Sequence, residues 1–262
     1  MAVIDAHAHI YPEKIVATAV QSVSDFYSVG MEGNGRPEAL LKATQTTPID
    51  HFIVHSVAVK AKTVESINDF IAEQTRIHSE FIGFAAMHQD FKNKEEEINR
   101  AIAQGLKGVK IHPDTQKVNL DDPRLMELYE IIEGRIPIII HTGDYRYDYS
   151  HPRRMKNVLH TFPDLVVNAA HFGGWSIFDI AMDYLKDETC FMDASSSMAF
   201  LGNRRTKELV DIYGTDRIMF GSDFPMWDPA AEFDRFTSLG FTDDQLEKLL
   251  CKNAERFLGF EV

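Results

Sequence analysis

The chain has 262 residues, of which 44% are hydrophobic, so it is long enough to bury a large core. It carries 40 acidic residues against 27 basic ones, a formal net charge of −13, and such a surface repels nucleic acid and anionic membranes. We therefore expect a small-molecule substrate, with no nucleic-acid or membrane partner.

The cysteine content and the N-terminus both indicate an intracellular protein. Cys190 and Cys251 are far apart and lack the spacing of a disulfide framework. The N-terminus shows no basic stretch followed by an apolar run, and no segment approaches membrane-spanning length. We expect a cytoplasmic protein, and the assembly that we expect is a homodimer, the commonest symmetric oligomer.

Eight short, nearly continuous apolar runs occur along the chain. Such runs are typical of strands that are buried on both faces of a parallel sheet. The predicted strands span 2–10, 50–59, 80–88, 105–113, 136–144, 165–174, 189–196 and 217–225. The glycine-containing segment 28–38 is predicted to be a loop.

Amphipathic segments lie between these runs and predict helices. Asp121 or Asp122 before Pro123 marks one helix start, and Thr242 is the predicted cap of a last helix. The predicted helices before it span 63–78, 93–104, 122–134, 151–162, 176–186, 203–213 and 228–239.

The alternation of eight strands with about eight helices predicts an α/β fold, a single-domain (β/α)8 TIM barrel over residues 1–262. A doubly wound open sheet is the alternative. No glycine-rich phosphate-binding fingerprint follows the first strand, which favours the barrel.

Histidines and aspartates recur at the ends of the predicted strands. Barrel enzymes place their chemistry at the C-terminal ends of the strands, so these residues are candidates for one site. They are His7, His9, His88, His112, His141, His171, Asp193 and Asp223. The remaining histidines lack this register and are predicted to be helix, turn or surface residues: His51, His55, His78, His151 and His160.

The stretch "VIDAHAHIYP" puts two imidazoles on one face of the first strand, because side chains two apart on a strand point the same way. His7 and His9 share that face with Asp5, a candidate hydrogen-bonding partner one layer deeper. The residues predicted to face the helices are Ile4, Ala6, Ala8 and Ile10.

Two inward imidazoles can bind one divalent metal from one side, and His141 and Asp223 can supply ligands from across the barrel mouth. Several imidazoles with a carboxylate suit Zn²⁺ best, with Mn²⁺, Fe²⁺ or Co²⁺ as alternatives. The sequence therefore predicts a metal site at the C-terminal ends of the strands.

The motifs "DAHAHI", "IIHTG", "AAHFGG" and "FGSDFP", in this order, resemble the amidohydrolase superfamily. The subgroup most similar is the amidohydrolase-related (amidohydrolase 2) family of metal-dependent TIM-barrel hydrolases and decarboxylases. The resemblance spans residues 4 to 225. It implies that His7, His9 and His141 bind the metal, that Asp223 is a fourth ligand or the base, and that His171 contacts a second metal or orients the attacking water.

The residue at the end of the fourth strand indicates how many metal ions the resemblance implies. Binuclear members of the superfamily have a carboxylated lysine or a glutamate at the end of that strand. Here Lys110 or His112 occupies the region and no glutamate does, so we expect one metal, with a binuclear site as the alternative.

The resemblance implies catalysis by a metal-activated water, with Asp223 accepting its proton and His171 steadying it. The expected reaction is hydrolysis of an amide, lactone or ester-like bond in a small, carboxylated substrate. The alternative is a metal-dependent, non-oxidative decarboxylation similar to that of aminocarboxymuconate-semialdehyde decarboxylase. A second alternative is a metal-binding barrel without catalysis.

Further residues near the strand ends are candidates for substrate contact. Arg146 follows the fifth strand and could hold a carboxylate through its guanidinium fork. His112, Tyr11, Trp175 and Trp227 also follow strands that end at the mouth, where they line the pocket or anchor loops.

Overall fold

Eight parallel strands form the centre of the fold in this computed structural model, which describes residues 2–262. The strands are β1 (Ile4–His9), β2 (His51–His55), β3 (Phe81–Ala86), β4 (Gly108–Ile111), β5 (Ile138–Ile140), β6 (Val167–Ala169), β7 (Met192–Asp193) and β8 (Ile218–Met219). Strands β1 to β6 pair in chain order, and β7 pairs with β8. Bridges between Asn168 and Phe191 and between Ala8 and Phe224 join the two sheets into a ring. The predicted (β/α)8 barrel is confirmed; Met1, inside the predicted limits, lies outside the described residues.

Helices follow the strands and pack around them. They are α1 (Val16–Tyr27), α2 (Pro37–Ala43), α3 (Val64–Ile77), α4 (Lys94–Ala103), α5 (Pro113–Gln116), α6 (Pro123–Ile132), α7 (Pro152–Thr161), α8 (Phe178–Leu185), α9 (Met198–Tyr213), α10 (Pro229–Thr237), α11 (Asp243–Glu247) and α12 (Asn253–Leu258). Asp122 caps α6, and Thr242 forms a capping box with Gln245 at the start of α11, as predicted. A π-helical turn at 248–252 interrupts the predicted last helix.

The β1–β2 connection contains two helices where the sequence predicts only a loop at 28–38. That loop exists, but it joins α1 to α2. Only Val16 of α1 is buried, and much of one side of this helix lines the cavity at the barrel mouth. The sequence prediction missed this helix, although its apolar residues are patterned about as strongly as those of α4, α6 and α8.

Side chains alternate between the inside of the barrel and the surrounding helices. On β5, Ile138 and Ile140 belong to the large cluster under the helices, while Ile139 belongs to a smaller cluster with Ile53 and Phe84. Phe257 of α12 joins this smaller cluster, with its ring centre 5.9 Å from that of Phe84. The inner core therefore lies on the side of the barrel where the C-terminal helix docks.

Strand β1 breaks the strict alternation. Its register with β2 shifts between Asp5 and Ala8, and Ile4 and Ala6 belong to the smaller inner cluster. The prediction that these two residues face the helices is therefore wrong, whereas Ala8 and Ile10 do pack in the outer cluster. The physical reason is the β-bulge, because one extra residue moves the following side chains to the other face.

Among residues 2–262, no helix has both the length and the apolar character needed to cross a membrane.

Candidate active site

Two imidazoles and one carboxylate converge at the C-terminal end of the barrel. Asp223 Oδ1 lies 3.5 Å from His7 Nε2 and 3.3 Å from His9 Nε2. The closure of the ring brings them together, because the backbone N–H of Asp223 donates to the carbonyl of His7 at 2.8 Å. The sequence prediction placed these three residues in one site, and the structure groups them.

The contacts of His7 determine which of its ring nitrogens carries the hydrogen and which carries the lone pair. Its Nδ1 lies 2.9 Å from Asp193 Oδ2 in a buried pair. Burial by itself would raise the pKa of Asp193, but His7 and its other partners hold that pKa below the usual range. The ionised carboxylate accepts from Nδ1–H, so Nε2 of a neutral His7 presents a lone pair. Burial, together with Lys110, lowers the pKa of His7 to about 4, so this ring is neutral at physiological pH.

Asp193 connects several elements of the site. It accepts hydrogen bonds from Asn168 Nδ2 at 2.7 Å, from Ser195 Oγ at 2.5 Å and from the backbone N–H of His171 at 3.2 Å. The sequence marks it only as a strand-end residue. Histidines that bind metals commonly donate their other N–H to a carboxylate, and His7 makes a contact of this kind with Asp193.

Asp5 has a different role from the one predicted. It accepts from the backbone N–H of Ser222 at 2.9 Å, from Ser222 Oγ at 2.5 Å and from the backbone N–H of His7 at 3.0 Å. The imidazole of His7 is bonded to Asp193 instead. Asp5 therefore fastens the end of β8 to β1, and the bulge in β1 is the reason that it does not lie beneath the histidine ring.

His141 and His171 form a second pair beside the first group. His141 Nδ1 lies 3.1 Å from His171 Nε2, and the ring centres of His171 and His7 are 5.0 Å apart. His171 Nδ1 contacts the carbonyl of Ser195 at 2.9 Å, and His141 Nε2 contacts that of Gly143 at 3.1 Å. Two neutral rings carry two N–H hydrogens for these three contacts, so one contact lacks a hydrogen unless the pair holds an extra proton.

Glycines in the "HTG" and "HFGG" motifs allow this pairing. Gly143 has a φ of 87°, and a Cβ there would lie 2.5 Å from Gly174 Cα and 2.7 Å from the backbone nitrogen of Trp175. Only glycine permits such an approach between the loops after β5 and β6. The close approach places His141 next to His171.

His55 lies at the site, although the sequence predicts that it is a helix, turn or surface residue. It ends β2 opposite His9, and its ring centre is 4.4 Å from that of His9 and 4.8 Å from that of His7. Both of its ring nitrogens are buried and have no hydrogen-bond partner among residues 2–262. The available signal was its position at the end of the apolar run "FIVH", the same position that the other strand-end histidines occupy.

Lys110 is buried inside the barrel at the fourth strand. Its Nζ lies 3.0 Å from His7 Nε2 and can donate to that lone pair. Burial lowers the pKa of Lys110 to about 8, although the nearby carboxylates of Asp223 and Asp193 oppose the shift. The ammonium brings positive charge to the nitrogen and carboxylate groups of the site.

Strained backbone supports the group around Asp223. Asp223 and His171 both have a φ of 60°, and Ser196 has a φ of 48°, in the left-handed region that non-glycine residues seldom adopt. Ser196 Oγ donates to Asp223 Oδ2, and Trp227 Nε1 donates to Ser196 Oγ at 2.9 Å. Trp227 therefore positions the Ser196 hydroxyl that donates to the Asp223 carboxylate.

A cavity of about 1440 Å³ opens over these groups. The site residues that line it are His7, His9, Lys110, His141, His171 and Asp223. Of the residues predicted to contact substrate, Tyr11, His112 and Trp175 line it too, and His112 stacks on His141 with ring centres 3.9 Å apart. Arg146 and Trp227 are not among the lining residues. Tyr27 of α1, which was not predicted from the sequence, also lines the cavity.

Arg146 is fully engaged within the protein. Its guanidinium donates to both oxygens of Asp144, at 2.9 and 2.6 Å, and to the carbonyl of Phe26. It also lies 4.6 Å from the centre of the Phe26 ring, within cation–π distance. Arg146 therefore ties α1 to the loop after β5, and its predicted role as a carboxylate clamp stays a prediction.

The donor set fits a divalent cation. The lone pair of His7 Nε2 lies 3.5 Å from Asp223 Oδ1 with no hydrogen between them, and the donor at this nitrogen is the Lys110 ammonium, a positive charge like that of a metal. The buried nitrogens of His55 and Nδ1 of His9 have no hydrogen-bond partner among the described residues. Imidazole nitrogens with carboxylate oxygens are ligands suited to zinc, manganese and iron.

Comparison with known proteins agrees with this architecture. Residues 4–260 match the protein-family model for amidohydrolases. An uncharacterized TIM-barrel protein from Bordetella bronchiseptica is 20% identical, with a TM-score of 0.79 over 99% of each chain. A dihydroxybenzoic acid decarboxylase from Polaromonas sp., solved with manganese and the inhibitor 2-nitroresorcinol, is 16% identical, with a TM-score of 0.76 over 98% of this chain and 97% of that one. A 5-carboxyvanillate decarboxylase from Novosphingobium aromaticivorans, complexed with manganese and 4-hydroxy-3-methoxy-5-nitrobenzoic acid, is 15% identical, with a TM-score of 0.75 over 99% and 96%.

Proposed function

The chain belongs to the amidohydrolase family, and on that premise we propose that it is a metal-dependent, non-oxidative decarboxylase of a small hydroxylated aromatic acid. The observation that carries the proposal is the convergence of His7 Nε2 and His9 Nε2 on Asp223 Oδ1, at 3.5 and 3.3 Å, beneath an open cavity. Decarboxylation is the alternative reaction that the family resemblance implies. It now takes precedence over hydrolysis because two structural neighbours are manganese-containing decarboxylases of aromatic acids.

The proposed metal ligands are His7, His9 and Asp223, which converge on one another, together with His141, which lines the same cavity. Zn²⁺ is the first expectation from the sequence, and the manganese in the neighbours supports Mn²⁺ equally well. A bound cation would supply positive charge that holds the substrate carboxylate and stabilises negative charge developing on the ring.

The protein residues account for binding and proton transfer. Tyr11 and Trp175 contribute aromatic side chains to the cavity lining, which suits a flat ring. Burial alone would raise the pKa of Asp223, but His7, His9 and His171 hold it below its usual range, so Asp223 is an ionised base that can accept a phenolic proton. His171 is the proposed donor of the proton that replaces carbon dioxide on the ring, in the form in which its pair with His141 holds an extra proton.

Hydrolysis remains the second candidate, because an ionised Asp223 could equally accept a proton from water. The two reactions release different products: carbon dioxide without consumption of water, or an acid formed from a lactone, ester or amide. We also propose, from the charge of −13 and the two free cysteines, that a small molecule is the partner and that the protein acts in the cytoplasm. A homodimer is the proposed assembly.

The test starts from metal-free protein that is reloaded with Mn²⁺ or Zn²⁺. Carbon dioxide release from 2,6-dihydroxybenzoate and 5-carboxyvanillate is measured beside acid release from a panel of lactones, esters and amides. We expect carbon dioxide from an aromatic acid, abolished in His9→Ala and retained in His160→Ala, a matched change at an exposed histidine. Acid release without carbon dioxide would establish the hydrolase instead, and full metal content in His9→Ala would contradict the site.

A further inference from the structure

The end of helix α1 places a tyrosine hydroxyl at the wall of the cavity. Tyr27 Oη lies 2.6 Å from His112 Nε2, and the Tyr27 ring packs edge-on against Trp175 with centres 4.8 Å apart. Tyr27 and His112 line the same cavity as the proposed metal ligands. The cavity lining therefore includes a polar group from α1 as well as those at the strand ends.

The surroundings of His112 determine the direction of this hydrogen bond. His112 is the N-cap of α5, and its Nδ1 accepts from the backbone N–H of Thr115 at 3.4 Å. A ring nitrogen that accepts carries no hydrogen, so a neutral His112 has its hydrogen on Nε2. Nε2–H then donates to Tyr27 Oη, and the hydroxyl hydrogen of Tyr27 is not used in this contact.

In the part of the chain that the structure describes, the hydroxyl hydrogen of Tyr27 has no acceptor. Among residues 2–262, His112 is its only hydrogen-bond partner. Burial raises the pKa of Tyr27 well above its ordinary value, so the group keeps its hydrogen at neutral pH. Tyr27 is half-buried and lines the cavity, so a ligand that covers its hydroxyl without supplying an acceptor would leave this donor unpaired, which is costly.

We propose that Tyr27 is a specificity-determining residue whose hydroxyl donates a hydrogen bond to a ring oxygen of the substrate, with His112 as its positioning residue. This inference rests on the proposed function, which supplies an aromatic acid with ring oxygens. A bound acid without such an oxygen covers the hydroxyl and leaves it unpaired, and sites built to hydrogen-bond a substrate oxygen discriminate against analogues that lack it.

The test compares two ligands and two variants. Binding of 2,6-dihydroxybenzoate and of benzoate to the Mn²⁺-loaded protein is measured by calorimetry. Tyr27→Phe keeps the ring that packs on Trp175, and we expect it to weaken 2,6-dihydroxybenzoate binding about tenfold while benzoate binding changes less than about twofold. The matched control, Tyr147→Phe, removes a hydroxyl from a partly exposed tyrosine outside the cavity lining and should change neither affinity.

A second measurement reads the hydrogen-bond direction without any ligand. Nitrogen NMR of histidine-labelled protein, with the His112 signals identified by their loss in His112→Gln, should show a protonated Nε2 and an unprotonated Nδ1. The opposite tautomer overturns the inference, as does an equal loss of affinity for both ligands in Tyr27→Phe, or no loss for either. If the wild type binds neither ligand, the proposed function fails and the inference fails with it, whereas binding without discrimination defeats the inference alone.

Discussion

His7 Nδ1 donates to Asp193 Oδ2 across 2.9 Å, and neither side chain is exposed to solvent. This bond fixes the tautomer of His7 and directs the lone pair of Nε2 at Asp223. The same carboxylate also binds Asn168 and Ser195, so strands β1, β6 and β7 meet at one buried charge. The proposed metal site depends on this arrangement as much as on the ligands themselves.

Replacing Asp193 with asparagine should weaken metal binding. The neutral amide makes His7 a poorer ligand and no longer enforces its tautomer, and loss of such a partner typically costs 10- to 100-fold in metal affinity. Competition with a chelator measures the affinity for Mn²⁺ and Zn²⁺. Asp164→Asn, at an exposed position, is the matched control. Unchanged affinity in a folded Asp193→Asn protein would contradict the role of this bond.

Lys110→Met should strengthen the binding of one divalent metal, by about tenfold. Lys110 Nζ donates to the same His7 nitrogen that the metal would use, and it adds like charge at the site. Calorimetric titration with Mn²⁺ gives both affinity and stoichiometry, with the exposed Lys92→Met as control. A loss of metal, or a fall from two ions to one, would instead identify Lys110 as a ligand of a binuclear centre.

Arg146→Met should loosen the C-terminal end of α1. The guanidinium joins Asp144 to the Phe26 carbonyl and lies over the Phe26 ring, and these contacts hold the helix end at the cavity. We expect faster hydrogen exchange of the backbone amides at 24–29, with exchange in α7 unchanged. Weaker binding of aromatic acids without any change in exchange would show that Arg146 acts on the substrate carboxylate directly.

Glu232→Gln should stabilise the protein at pH 8 more than at pH 5. Glu232 is 2% exposed, its Oε1 accepts from Arg235 at 2.7 Å, and its Oε2 has no partner among the described residues. Burial raises the pKa of Glu232 to about 7, above its value near 4.3 in the unfolded chain. The folded state therefore binds more protons between these values, so this group lowers stability as the pH rises through that window, and the loss is complete above it.

The difference for Glu232→Gln should reach about 2 kcal/mol in the free energy of unfolding at pH 8 relative to pH 5. Urea denaturation at both values measures it, and the exposed Glu130→Gln serves as control. An equal effect of the substitution at pH 5 and pH 8 would show that Glu232 is ionised in the folded protein at both.

The barrel and the main members of the proposed site could be predicted from the sequence. Parallel strands that are buried on both faces are apolar along their length. Their order and the polar residues at their ends can therefore be recognised in the amino-acid sequence. His7, His9, His141, His171 and Asp223 are each marked in this way, and the structure brings them together around one cavity.

Which of these residues contact one another could not be predicted from the sequence and is seen only in the tertiary structure. The bulge in β1 displaced Asp5, and the register with β2 brought His55 to His9; neither leaves a trace in a period-two pattern. Asp193 became the partner of His7, and Tyr27 reached His112 from a helix with few buried residues. Hydrogen bonds between distant segments depend on ring closure and loop placement, which are three-dimensional, whereas hydrophobic periodicity is a local property that the order of residues already contains.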